Sequence, residues 1–256
     1  MRWVCKLSLD HLRILVCIKP HRRKRADVDA DNQGGAYKHG LTILEDAAQA
    51  QIASYKDKEV RRFGTAVAWS FYPGKNFGTW GEGEAITTNN EEVYEKARKY
   101  RDHGSIKKYY HDMIGYNYRM SEFQAAVLNV KLDHIERWTE QRRKNAHLYS
   151  TLLKDVEQIT TPFESPDRYH VYHLYILRGQ KRDELQTYLK DKGITSGIHY
   201  PFPLHMTGAY RYLGYEEGSF PVAEKIANEI LSLPMYPELT QEQVETVCDG
   251  IRSFYN

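Results

Sequence analysis

Cysteine is scarce: Cys5, Cys17 and Cys248 are the only three in 256 residues. They are too few and too scattered for a disulfide framework, and their spacing is not that of metal ligands. A stapled secreted scaffold and a cysteine metal centre are therefore not expected, and a reducing cytoplasm is. Long apolar runs are missing too, since nothing approaches the roughly eighteen residues that a membrane helix needs. The nearest stretch, Leu12 to Ile18, is crowded by His11 and Arg13. The basic run KPHRRKR, Lys19 to Arg25, follows it rather than precedes it, the wrong order for secretion. Charge of one sign is not in excess either. A formal net charge of +2 gives no reason from composition to expect a nucleic-acid or membrane partner. What is present is 41% hydrophobic and 27% charged residues, enough for a core of one large domain or two ordinary ones.

Residues 1–40 differ from the rest, with nine Lys and Arg against four Asp. A basic run can bind nucleic acid, but this one has no aromatic interleaving and reads as solvated chain. From Leu41 the pattern becomes regular. LTILEDAA reads as a buried strand ending in Glu45 and Asp46, AVAWSF (Ala66 to Phe71) as a second and AITTN (Ala85 to Asn89) as a third. Helical spacing runs from Asn90 to His103, with Val93, Ala97 and Tyr100 on one face. A longer helix is expected from an N-cap at Ser121 through Asp155. Then come a β-like HVYHLYIL, a charged helix over Lys181 to Lys192, a strand ITSGIHY, and two helices separated by SLPMYPEL. Strands alternating with helices argue for an α/β domain followed by a smaller α+β one. The expected organisation is a divergent basic segment (1–40), a cofactor-binding portion (41–139) and a small C-terminal domain (140–256).

Ligands of open α/β sheets sit outside the carboxyl ends of the strands. Asp46 and Gln49 follow the first strand, Ser70 closes the second, and Lys75 lies in the turn SFYPGKNFGTWGEGE after it. Alone, each has an ordinary reading: a helix-capping acid, a strand end, a solvated lysine. GKN is not a phosphate-binding loop of the Walker type, because the glycine spacing and the following Ser or Thr are absent. Together they match the needs of pyridoxal phosphate: a lysine for the Schiff base, a carboxylate for the pyridine nitrogen, and a hydroxyl for the phosphate.

LEDAAQA, FGTAVAWSFYPGKNFGTWGEGEAITTN, KYRDHG and IGYNYRMSEFQAAV resemble, in order, the motifs of the DegT/DnrJ/EryC1/StrS family of sugar-nucleotide aminotransferases. IHYPFPLH and LSLPMYPEL continue the match. The resemblance implies an α/β, aspartate-aminotransferase-like large-domain remnant with a mostly parallel sheet, plus the smaller α+β domain. It implies pyridoxal 5'-phosphate as cofactor, with Lys75 as the Schiff-base lysine and proton carrier and Asp46 on the pyridine nitrogen. Gln49 would lie near the phenolic oxygen and Ser70 at the phosphate, and Asn117 would reach the phosphate of the neighbouring subunit of a homodimer. His199, Tyr200 and His205 would lie near the substrate, a nucleotide-linked keto sugar, with an amino acid such as glutamate as donor. IHYPFPLH and GYEEGSFPVAEKIANEILSLPMYPEL are most similar to members acting at C3 of dTDP-linked 6-deoxyhexoses. The alternative is a non-catalytic member that binds a partner or a sugar nucleotide without turnover.

The resemblance is weaker in RADVDADNQGGAYKHG (Arg25 to Gly40) and ends upstream of about Arg25, where the family has a phosphate-binding helix start and a ring-stacking aromatic. A truncated or frame-shifted start is the expectation drawn from that change. Two further departures are Gly83-Glu84, where the family pairs glycines, and VRRFG (Val60 to Gly64), with arginines in place of small or polar residues.

Overall fold

The structure is a computed structural model that describes residues 41–61 and 63–256. The basic segment 1–40, with Arg25 to Gly40, and Arg62 of VRRFG lie outside the described residues. In chain order the elements are β1 (Leu44–Asp46), β2 (Ser54–Tyr55), β3 (Lys58–Glu59), β4 (Ala66–Ser70), β5 (Glu84–Thr88), α1 (Glu91–Arg101), β6 (Ser105–Lys107), β7 (Tyr110–His111), α2 (Glu122–Leu132) and α3 (Ile135–Leu153). They are followed by β8 (Ile159–Thr160), β9 (Arg168–Tyr169), β10 (Tyr175–Gly179), α4 (Arg182–Asp191), α5 (Pro221–Glu229), β11 (Ile230–Leu233) and α6 (Gln241–Tyr255). Two short 3₁₀ turns, Leu204–Met206 and Gly208–Leu213, precede α5. No described helix is long and apolar enough to cross a membrane.

The chain forms two compact units. Unit 1 runs to Arg137 and takes in Pro166–Val171; unit 2 comprises Trp138–Ser165 and Tyr172–Asn256. In unit 1 a sheet of order β1-β4-β5 carries the strand ends of interest. β1 and β4 are parallel, but β5 returns antiparallel to β4, with Ser70 opposite Glu84. Among the described residues, one of the two pairings in this sheet is antiparallel, where a mostly parallel sheet is expected. The reason is local: the loop from Phe71 to Gly83 folds back on itself and needs no crossover helix. β2 pairs with β3 through a two-residue connection, Lys56-Asp57, with φ of +48° and +59°. Positive φ at both positions is what a type I′ hairpin turn requires. β9 pairs with the other edge of β2.

Unit 2 is built on a sheet of order β11-β10-β8, antiparallel throughout. Its core shows helical spacing: Ala146, Tyr149 and Leu153 on α3, Leu185 and Leu189 on α4, and Val244, Val247, Cys248 and Ile251 on α6. Each fully buried leucine contributes roughly 1.5–3 kcal/mol. A capping box between Thr240 and Gln243 starts α6, and Pro221 opens α5 at its first turn.

Three expectations are corrected. The long helix from Ser121 is two helices, because the chain leaves α2 at Asp133 and restarts at Ile135. No glycine or proline marks that break, and the apolar stripe continues across it. ITSGIHY is not a strand; only Gly197 makes a single bridge, to Ser232. The apolar run ILSL after α5 is β11, buried at all four positions. Such a run cannot be told from a helix end by periodicity alone.

Candidate active site

The parallel register pairs Asp46 with Ala68, and the Ala47 amide continues it by donating to the Ala68 carbonyl at 2.9 Å. Side chains alternate along a strand, so Asp46 and Ser70 share a sheet face at the carboxyl ends of the two strands, and Glu45 takes the opposite one. Glu45 is only 3% exposed. Its carboxylate accepts the backbone N–H groups of Arg61 (2.7 Å), Phe63 (3.0 Å) and Gly64 (2.7 Å). Three donors meet the cost of burying the charge and fix the loop after β3. Asp46 is exposed, and one of its oxygens accepts the Ala48 N–H at 3.0 Å. Gln49, three residues on, is exposed as well.

Lys75 sits in a turn whose closing bond is its own N–H to the Tyr72 carbonyl, at 2.9 Å. The rest of the loop folds over this turn: Thr79 N–H donates to Phe71 O at 2.8 Å, and Phe71 N–H to Gly83 O at 2.7 Å. Gly78 makes the fold-back possible, since a Cβ there would come within 2.5 Å of the Pro73 carbonyl oxygen and 2.6 Å of that of Tyr72. Phe71 and Phe77 meet edge to face at 5.6 Å and bury themselves against Leu128 and Ile135. Lys75 is half-buried, and among the described residues its ammonium makes no ion pair or hydrogen bond. Glu84 is exposed; the close approach falls instead on Gly83, where a Cβ would meet Thr79 at 2.7 Å.

Four residues that the sequence analysis did not single out hold this loop. Gln51, buried, donates from Nε2 to the Ser70 carbonyl at 2.8 Å. Asn76 Nδ2 donates to Val171 O at 2.9 Å. From α2, Gln124 accepts Thr79 Oγ1–H on its carbonyl at 2.8 Å and donates Nε2–H to Glu82 O at 2.5 Å. Lys131 Nζ, also on α2, donates to Gly78 O at 2.7 Å. Only Gln124 left a local signal: three residues after Ser121, it completes the capping box that starts α2.

Asn117 is exposed, bridges Asp102 and accepts on Oδ1 from Arg119 Nε at 2.8 Å. It stands beside a stack of tyrosines: Tyr116 and Tyr118 lie 4.8 Å apart at 8°, with Tyr100 6.3 Å from Tyr116, and Tyr118 is 70% exposed. The remaining candidates belong to unit 2. His199 Nδ1 lies 2.8 Å from Ser232 Oγ, and Tyr200 is exposed. His205 Nε2 lies 2.8 Å from a Glu224 oxygen. The Phe220 backbone N–H, then those of Gly218 and the His205 ring, hold the Glu224 carboxyl below its ordinary range. Unit 1 thus places Asp46 and Ser70 on one sheet face at the carboxyl ends of adjacent strands, with Lys75 in the turn that follows Ser70, while His199, Tyr200 and His205 belong to unit 2.

Residues 26–252 match the DegT/DnrJ/EryC1/StrS aminotransferase family. The chain is 51% identical over 222 residues to a pleiotropic regulatory protein of Geobacillus stearothermophilus, covering 86% of this chain and 60% of that protein. It is 41% identical to the dTDP-3-amino-3,4,6-trideoxy-alpha-D-glucose transaminase of Streptomyces venezuelae, covering 96% and 67%. Among solved structures, S. venezuelae DesV in complex with a ketimine intermediate superposes with a TM-score of 0.86 at 41% identity, over 91% of this chain and 62% of that one. The fold is accordingly mixed α/β and like that of the aspartate-aminotransferase-like enzymes. The chain spans about three fifths of the length of the first curated relatives it matches.

Proposed function

Because the chain belongs to the DegT/DnrJ/EryC1/StrS aminotransferase family, we propose that it is a pyridoxal-phosphate-dependent aminotransferase. Its substrate is a nucleotide-linked keto sugar, with a dTDP-linked 6-deoxyhexose aminated at C3 as the leading case, and its donor is an amino acid such as glutamate. Relatives named as transaminases of dTDP-3-amino sugars support that choice. The observation that carries the reading is the end of this sheet. A carboxylate with one oxygen uncommitted among the described residues and a hydroxyl share its face, and the turn that follows the hydroxyl carries a half-buried lysine with no partner among the described residues.

When bound, pyridoxal phosphate supplies an electron sink for the pair left on the substrate carbon. The chain's own residues do the rest. Asp46 would hold the proton on the ring nitrogen, and Gln49 would serve the phenolic oxygen. Ser70 Oγ would donate to the phosphate, and Asn117 would reach the phosphate of a second copy. Lys75 Nζ would anchor the cofactor and would take and return the proton at the substrate carbon. His199, Tyr200 and His205 are the assigned substrate contacts. The exposed tyrosine stack beside Asn117 supports a homodimer, since clustered aromatics are favoured at interfaces.

A second reading, binding without turnover, draws on the regulatory name of the Geobacillus relative. One experiment separates the two. The protein purified with pyridoxal phosphate is expected to show the visible absorbance of lysine-bound cofactor, lost in Lys75→Ala, and to release 2-oxoglutarate from glutamate when given a keto sugar nucleotide. Colourless protein, or colour that survives the substitution, rejects the enzyme; colour without amino transfer favours the second reading.

A further inference from the structure

We infer that Lys131, on α2, is a positioning residue for Lys75; this rests on the proposed role of Lys75 as the cofactor-anchoring residue. The path between the two is short and physically continuous. Lys131 Nζ donates to the Gly78 carbonyl at 2.7 Å. Gly78 in turn lies flat against the carbonyls of Tyr72 and Pro73, so closely that no side chain would fit between. The Tyr72 carbonyl accepts the Lys75 N–H. A displacement of Gly78 therefore disturbs the carbonyls on which the lysine turn is closed.

The helix that carries Lys131 is itself well anchored. Its start is fixed by the Ser121–Gln124 capping box, and Leu128, one helical turn before Lys131, is fully buried against Phe71 and Phe77 of the loop. Gln124 holds the next stretch of the loop at Thr79 and Glu82. α2 thus grips the loop at its two ends, with neutral hydrogen bonds at its first turn and a charge-assisted one at its last. The last is the stronger kind, and the cation also lies where the carbonyl end of a helix favours one. Lys131 and Gly78 are 53 residues apart in sequence, so no local pattern announces the pair.

The test compares Lys131→Met, which keeps most of the stem and removes the ammonium, with Lys131→Arg, which keeps a cationic donor. In the cofactor-free full chain, amide exchange in peptides spanning residues 72–79 is expected to rise about tenfold in Lys131→Met, matching the loss of one charge-assisted hydrogen bond. It is expected to stay near wild type in Lys131→Arg, with α6 peptides unchanged in both. With pyridoxal phosphate added, Lys131→Met is expected to bind about tenfold more weakly and to shift the pH midpoint of the visible absorbance, and Arg restores both. Wild-type exchange over 72–79 in Lys131→Met, or exchange raised equally across the chain, overturns the inference. If the wild-type chain never develops the absorbance, the proposed function fails, while the exchange arm still decides whether Lys131 holds the loop.

Discussion

Glu45 accepts three backbone N–H groups from the loop after β3, whereas its neighbour Asp46 faces solvent with one short-range contact. In Glu45→Gln, an NH₂ group faces at least one of those donors, and the charge that strengthened the others is gone. The expected cost is about 2 kcal/mol, read as a lower urea midpoint with an unchanged slope. The sequence placed Asp46, Ser70 and Lys75 at strand ends by pattern alone, because strand ends and turn residues are local signals. It could not separate the duties of Glu45 and Asp46, which depend on a loop sixteen to nineteen residues away. Gln51, Asn76 and Lys131 were invisible for the same reason. Each donates a hydrogen bond to a distant carbonyl.

Elements with a chemical start signal were legible. Ser121 caps α2 as expected from the sequence, and the helical spacing from Asn90 is α1, where Asn90 accepts the Val93 N–H; the cap at Thr240 was not singled out. Elements set by backbone conformation or tertiary contact were not, among them the break at Asp133, the strand β11, and the β2–β3 hairpin. That hairpin turn is built from Lys56 and Asp57, neither a residue that favours positive φ as glycine does. Asp57→Gly is therefore expected to stabilise the protein by roughly 0.5–1 kcal/mol, seen as a raised melting temperature, because relief of the left-handed strain exceeds the added freedom of the unfolded chain. An unchanged or lowered value would mean that the side chain of Asp57 makes up for its backbone strain.

Unit 2 folds around tyrosines. Tyr149 and Tyr175 stack at 4.9 Å, with their hydroxyls bonded to Pro234 O and Ser150 Oγ. Burial pushes Tyr172 up to about 12 and the Cys248 thiol up to about 12, and raises Tyr149 and Tyr175 further. These acids keep their protons when folded, after the unfolded chain has lost its own. Their contribution is therefore intact below the ordinary cysteine and tyrosine values of 9.0 and 10.0 and is lost as pH rises above them. Urea midpoints are expected to fall steeply above about pH 10, and less steeply in Tyr149→Phe, which removes one of the groups. The two units also share the thread in an unequal way. The chain passes from one to the other after Arg137, returns for Pro166–Val171, and leaves again. A coding sequence stopped after Arg137 would lack β9, the strand that flanks β2, and one begun at Trp138 would lack the first turn of α3. Neither body exists as an uninterrupted stretch of gene, so exchanging or deleting one of them calls for three junctions rather than one.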